Sequence, residues 1–190
     1  MHEFDALQLS LVDAFPEMTT LAGALRDARI TVAVAESCTG GLLGAVLTAL
    51  PGSSDYMRGG VIAYADSVKA DILGVSRHDL AVHGAVSEPV ARAMAEGVRQ
   101  RCRAAIGIAV TGVAGPGDSD AKPAGLIFVC AAGPETTLVQ HLEGDRGWEV
   151  NRAHAVDAAL RLCLKLLGVD TPDHIPQQGD SRRASPPPTG

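Results

Sequence analysis

The sequence predicts an α/β fold, a three-layer α/β/α sandwich on a largely buried mixed sheet. Three observations predict it. Short apolar runs at residues 31–35, 61–64, 105–110 and 126–131 have the length of strands. Stretches of helical periodicity separate most of them, which is the pattern of a layered α/β domain. The runs are continuous rather than alternating, so both faces of the sheet need a cover.

The elements follow in order. Leu21, Ala24, Leu25 and Ala28 recur at helical spacing, with Thr19 and Thr20 as candidate caps. Thr31-Val-Ala-Val-Ala35 is a buried strand. Residues 42–50 are apolar enough for a buried helix, which Pro51-Gly52 stops. Val61-Ile-Ala-Tyr64 reads as the next strand, with a helix carrying Lys69 behind it. Ser87-Glu88-Pro89 is a helix start, a capping Ser with Pro inside the first turn, and Val90, Met94, Ala95 and Val98 form the buried stripe. Ala105-Ile-Gly-Ile-Ala-Val110 is a buried strand, and residues 126–131 and 137–142 read as a further strand pair. A long helix over 150–167 closes the domain, with Val156, Leu160, Leu164 and Leu167 on one face.

Residues 1–170 are expected to form one domain and 171–190 a disordered tail. Five of the 11 prolines fall in that tail, where Ile175 is the one large apolar residue, too little to offset the entropy of ordering. Its Arg182-Arg183-Ala184-Ser185 has the form of a basophilic kinase site. The chain has 190 residues, 46% of them apolar, which is enough for a core. Aromatics are 3%, so the core must come from Ala, Val, Leu and Ile.

The formal charge of −6 argues against nucleic acid as a partner. No apolar run reaches the roughly 18 residues that span a bilayer, and the acidic start (Glu3, Asp5, Asp13) is unlike a signal peptide. Cys38, Cys102, Cys130 and Cys163 lack Cys-x-x-Cys spacing and read as reduced core thiols of a cytoplasmic protein. A zinc site is not expected: His-Glu-x-x-His is absent and the six histidines are scattered. A P-loop is excluded because Asp118 follows Gly112–Gly117 where Lys is required, and no Gly-x-Ser-x-Gly elbow exists because Ala35-Glu36 precede Ser37.

Ala35-Glu36-Ser37-Cys38-Thr39-Gly40-Gly41 joins a buried strand to a buried helix. Ligands of such sheets bind at the carboxyl ends of strands. A hydroxyl there can attack a carbonyl whose oxyanion meets backbone N–H groups. Ser37 is therefore a candidate nucleophile. A plain helix cap explains the same residues, and Cys38 is a rival nucleophile or a core thiol.

Tyr64 ends the next strand and Lys69, one of three lysines, follows it. Lys69 is a candidate base for Ser37, with Tyr64 as a proton relay or a brace. A free alkylamine costs roughly 4.6 kcal/mol to neutralise at pH 7, so a site must remove much of that by burial. A surface lysine with Tyr64 at a sheet edge is the alternative. Thr111-Gly112-Val113-Ala114-Gly115-Pro116-Gly117 is a second loop at a strand's carboxyl end, suited to wrap a ligand or simply to connect. Arg146 and Arg152, near the closing helix, suit phosphate or carboxylate, or pair with Asp145 and Glu149. Trp148, the one tryptophan, suits stacking or an interface.

Together AESCTGG, GGVIAYADSVKADILGV, HGAVSEPVA and AVTGVAGPG, followed by KPAG and GDR, resemble the CinA C-terminal domain family. Its enzymatic members are the nicotinamide-nucleotide amidohydrolases, and the likeness runs from about Leu21 to Leu167. The length of the chain is similar to that of the stand-alone members. The resemblance implies hydrolysis of the carboxamide of nicotinamide mononucleotide to nicotinic acid mononucleotide and ammonia, with no metal and no cofactor. It implies Ser37 as nucleophile with Tyr64 and Lys69 as relay. Thr39, Gly40, Gly41, Thr111, Gly112, Gly115, Arg146 and Arg152 are the implied residues that bind a small-molecule nucleotide substrate. It also implies a homo-oligomer. Helix-start N–H groups near Cys38–Gly41 would hold the oxyanion.

Three features depart from the family pattern. Ala65-Asp66 stand where a small hydroxyl residue and Asn are usual. Arg146 and Arg152 are more widely spaced, with Asn151 at a place expected to be apolar. The 111–124 loop is slightly shortened. An acid beside Lys69 favours the ammonium. Two other readings stay open: a non-catalytic nucleotide-binding module on the same fold, and a serine amidase for another carboxamide.

Overall fold

The computed structural model describes residues 11–119 and 121–169. The segment 171–190 and its kinase-like motif lie outside the described residues. Seven α-helices and five strands follow in order: α1 (Leu11–Ala14), α2 (Glu17–Ala28), β1 (Val32–Glu36), α3 (Leu42–Leu47), β2 (Met57–Ile62), α4 (Asp66–Asp71), α5 (Arg77–His83), α6 (Glu88–Arg101), β3 (Ile106–Gly112), β4 (Ile127–Ala132), β5 (Thr137–Leu142) and α7 (Trp148–Leu166), among the described residues.

The strands form one mixed sheet of order β2-β1-β3-β4-β5. The pairs β1–β2 and β1–β3 are parallel, and β3–β4 and β4–β5 antiparallel. Val34 lies beside Gly60 on one side and Ile108 on the other. The ladder continues past the strand ends: Ala63 N–H donates to Glu36 O at 2.7 Å and Ser37 N–H to Val110 O at 2.9 Å. The starts of both loops are thereby tied to the sheet.

The two faces differ in side-chain size. Val32, Val34, Ile106, Ile108, Val110, Ile127 and Val129 pack with α2, α3 and α7. Ala33, Ala35, Ala109, Cys130 and Ala132 face α6, which lays Val90, Ala91, Met94, Ala95 and Val98 on them. Alternate residues of the continuous apolar strands thus serve opposite layers, and the three-layer sandwich expected from the sequence is the one observed.

Several boundaries move. The strand expected at 61–64 runs Met57–Ile62, so Tyr64 lies beyond its end. Thr19 and Thr20 do not cap: α2 begins at Glu17, behind Pro16. The helix expected to reach residue 50 ends at Leu47. The Thr48 hydroxyl there donates to Gly44 O (2.8 Å) and Ala45 O (3.2 Å), competing with a further turn. Ser87 precedes α6 but does not cap it with its side chain. Its hydroxyl donates instead to Gly84 O at 2.9 Å.

Candidate active site

The strands β2, β1, β3 and β5 end on the same edge of the sheet, and their loops enclose one cleft of about 310 Å³. Ser37 comes from the β1 exit, Tyr64, Asp66 and Lys69 from the β2 exit, Thr111–Ser119 from the β3 exit, and Trp148 from the start of α7. Ala85 and Val86, between α5 and α6, complete the wall.

Lys69 sits in α4 with 1% of its surface exposed. Its ammonium nitrogen Nζ donates to Tyr64 O at 3.1 Å and to Asp66 Oδ1 at 3.2 Å. A protonated amine carries three N–H donors. Two are accounted for, and the side chain lines the same cleft as Ser37. The surface-lysine alternative therefore does not describe it. Tyr64 is 71% exposed at the cleft's rim, and Lys69 donates to its backbone carbonyl, not to its phenol.

Cys38 is buried beside Ser37. Burial pushes its thiol up to about 12, against smaller opposing effects of its own backbone N–H, Arg152 and Lys69. A thiol held that far from ionising is a poor nucleophile, which leaves Ser37 as the hydroxyl at this turn that faces the cleft.

The turn itself is set by Glu36. Its buried carboxylate accepts Gly41 N–H (2.9 Å) and Leu43 N–H (3.0 Å) on Oε2, and Gly44 N–H (2.8 Å) on Oε1. Gly40 N–H donates to Ser37 O and Leu42 N–H to Thr39 O. The expectation that helix-start N–H groups up to Gly41 face a ligand therefore needs correction. Among the described residues, the Cys38 and Thr39 amides are the ones in this turn with no acceptor. Gly40 and Gly41 have φ of 59° and 97°, so they let the chain reverse into α3.

The remaining sequence candidates divide. Thr111, Gly112 and Gly115 line the cleft, although the Thr111 hydroxyl is committed to Ala85 O at 2.8 Å. Thr39, Gly40, Gly41, Arg146 and Arg152 are not among the lining residues. Arg152 lies behind the turn: Nη2 donates to Thr39 O at 2.7 Å, and the guanidinium stacks 4.3 Å from the Trp148 ring centre. Arg152 Nε and Thr39 Oγ1 are buried without a partner among the described residues. The side chain of Arg146 is exposed outside the cleft.

A model of the family described as CinA C-terminal domain matches residues 16–167. The chain belongs to the CinA C-terminal domain family. A CinA-like protein of Gloeobacter violaceus is 54% identical over 135 residues, covering 70% of this chain and 32% of that protein. A CinA-like protein of Gemmatimonas aurantiaca is 63% identical over 107 residues, covering 56% of this chain and 24% of that protein. The matches thus span about a third or less of those relatives' lengths. Among solved structures, the competence/damage inducible protein CihA from Agrobacterium tumefaciens superposes with a TM-score of 0.78 at 36% identity. That match covers 82% of this chain and 96% of that one. A CinA superfamily protein from Klebsiella pneumoniae gives 0.78 at 33% identity, covering 82% and 98%.

Two structural residues of this CinA domain escaped the sequence reading. Glu36 gives no local signal because its partners lie five to eight residues downstream, beyond an ordinary capping box. Asn151, at a position expected to be apolar, is buried for a polar reason. Its Nδ2 donates to Ala114 O (3.0 Å) and Asp145 Oδ1 (2.8 Å), and its Oδ1 accepts Arg146 N–H (3.0 Å). It ties the Gly112–Gly117 loop to the segment before α7. Lys122, of the KPAG motif, ties the same loop to the opposite wall, donating to His83 O at 2.7 Å and to Val86 O. Within the CinA domain no three His, Cys, Asp or Glu side chains gather into a metal-binding group, among the described residues.

Proposed function

We propose that the chain hydrolyses the carboxamide of nicotinamide mononucleotide, giving nicotinic acid mononucleotide and ammonia. The single observation that carries this reading is the buried amine of Lys69 in one cleft with Ser37. The family resemblance supplies the substrate. Ser37 Oγ attacks the amide carbon while its proton passes to Lys69 in the amine form, directly or by way of Tyr64. The Cys38 amide, on the cleft wall, receives the oxyanion. The relay returns the proton to the leaving nitrogen, ammonia departs, and water releases the acid from the Ser37 ester. Arg146, at the segment before α7, is the proposed phosphate contact, and a phosphate held there would orient the amide.

The Asp66–Lys69 pair favours a second reading, a binding module that holds the nucleotide without turnover, because the acid stabilises the ammonium. Ammonia release from nicotinamide mononucleotide and from unrelated amides decides between them. The amidase reading requires release that Ser37→Ala abolishes while ligand still binds. Binding without release supports the module, and release from other amides alone supports a different carboxamide.

A further inference from the structure

We propose that Glu36 is the positioning residue of the Ser37 turn, and that Gly44 is the gap that lets its carboxylate act. The kinetic part of the test rests on the amidase reading.

A carboxylate buried to 1% exposure needs compensation for lost hydration. Glu36 finds it in three backbone N–H groups from Gly41, Leu43 and Gly44, all within 3.0 Å. Hydrogen bonds to an ionised acceptor are the strong kind. They fasten the first turn of α3 to the end of β1, across the loop that holds Ser37, Cys38, Thr39 and Gly40. The loop is pinned at five further points: Ser37 N–H on Val110 O, Ala63 N–H on Glu36 O, Gly40 N–H on Ser37 O, Leu42 N–H on Thr39 O and Arg152 on Thr39 O. Glu36 thus takes the Gly41, Leu43 and Gly44 amides, Leu42 N–H goes to Thr39 O, and the Cys38 and Thr39 amides stay without an acceptor next to the nucleophile.

Gly44 explains how the carboxylate fits. A Cβ there would meet Glu36 Oε1 at 3.3 Å and Val34 Cγ2 at 3.7 Å. The carboxylate would have to give by a few tenths of an ångström, and Oε1 is the oxygen that holds Gly44 N–H. Gly44 sits inside a helix, where alanine is the better helix former. Gly44→Ala therefore pulls stability and positioning in opposite directions.

The test uses Gly44→Ala and Glu36→Gln in the full chain, with thermal melting and ammonia release from nicotinamide mononucleotide. Gly44→Ala is expected to melt no lower than wild type while kcat falls roughly tenfold and KM stays within about twofold, the signature of a misplaced reacting group. Glu36→Gln, which loses one acceptor oxygen, is expected to lower kcat by about ten- to a hundredfold. An unchanged kcat in Gly44→Ala, or a change confined to KM, overturns the proposal.

Amide hydrogen exchange keeps the two readings separate. Protection at Gly41, Leu43 and Gly44, with fast exchange at Cys38 and Thr39, is expected in wild type, and lost protection in the folded variants. Equal exchange in wild type and both variants overturns the positioning role. Absence of ammonia release with the expected exchange pattern overturns only the amidase reading.

Discussion

Asp66→Asn isolates the one contact that opposes the proposed chemistry. Asp66 Oδ1 lies 3.2 Å from Lys69 Nζ. At that distance Coulomb's law gives about 1.3 kcal/mol at the dielectric of water and about 5 kcal/mol at an effective dielectric near 20. The Asp66 side chain is 59% exposed, so water screens the pair and the lower figure governs. Ion pairs with an exposed partner contribute about 0.2–1 kcal/mol in cycle measurements. A value near 1 kcal/mol corresponds to a factor of about five, at roughly 1.4 kcal/mol per factor of ten. The sign is fixed by charge. The carboxylate stabilises the ammonium, and the reaction needs the amine, so removing the carboxylate favours the active form. At fixed neutral pH kcat/KM should rise about three- to tenfold. Ammonia release from nicotinamide mononucleotide reads it. An unchanged kcat/KM, or a loss beyond about tenfold, would mean that Lys69 works as an ammonium and that Asp66 holds it for that purpose.

Ser37→Ala should abolish ammonia release, while Cys38→Ala and thiol alkylation at pH 7 should leave most activity, because burial keeps that thiol protonated to about 12. The reverse outcome would reassign the nucleophile. Asn151→Ala removes three hydrogen bonds in the interior and should cost about 2 kcal/mol, read as a fall in Tm of roughly 4–8 °C. An unchanged Tm would show that the tie between the two loops contributes nothing. Arg146→Ala should raise KM for nicotinamide mononucleotide and flatten its dependence on salt. An equal salt slope in wild type and variant excludes Arg146 as the phosphate contact. Trp148 is the one tryptophan and lines the cleft. Its emission in Ser37→Ala should change on titration with nicotinamide mononucleotide, and an unchanged spectrum at saturation would place the ligand elsewhere.

The layer architecture was legible because apolar runs in this chain are continuous and of strand length. The shifted bounds of β2 have a plain cause. Val61-Ile-Ala-Tyr64 has the look of a strand, but the pairing belongs to Met57–Ile62, where Gly59 and Gly60 carry no hydrophobic signal. Backbone pairing with β1 outweighs side-chain propensity there. α5 was missed because RHDLAVH has no clear apolar stripe, yet Ser76 caps it, accepting from His78 N–H and Asp79 N–H. Ser37 is legible as a hydroxyl at a Gly-rich strand-to-helix junction, and Lys69 as one of three lysines, placed after a second strand end. The roles of Arg152 and Glu36 were not, since both act through backbone groups distant along the chain, which no local spacing encodes.

The order of the strands explains why residues so far apart share one cleft. β2, β1 and β3 run parallel, and β4 runs back, so β5 again ends beside the exits of the other three. Every strand except β4 therefore delivers a loop to the same edge, and the β3–β4 turn adds the Gly112–Gly117 wall. Ligands gather at such edges because backbone groups there lack ladder partners. In this chain that surplus is selectively consumed. Glu36 takes the Gly41, Leu43 and Gly44 amides, Thr111 and Lys122 take the carbonyls of the segment before α6, and Asn151 takes Ala114 O and Arg146 N–H. Ser37 and Lys69 remain among the polar groups that line the cleft. A site whose walls are tied by their own hydrogen bonds can hold such groups in fixed places, which is the condition for preorganised catalysis.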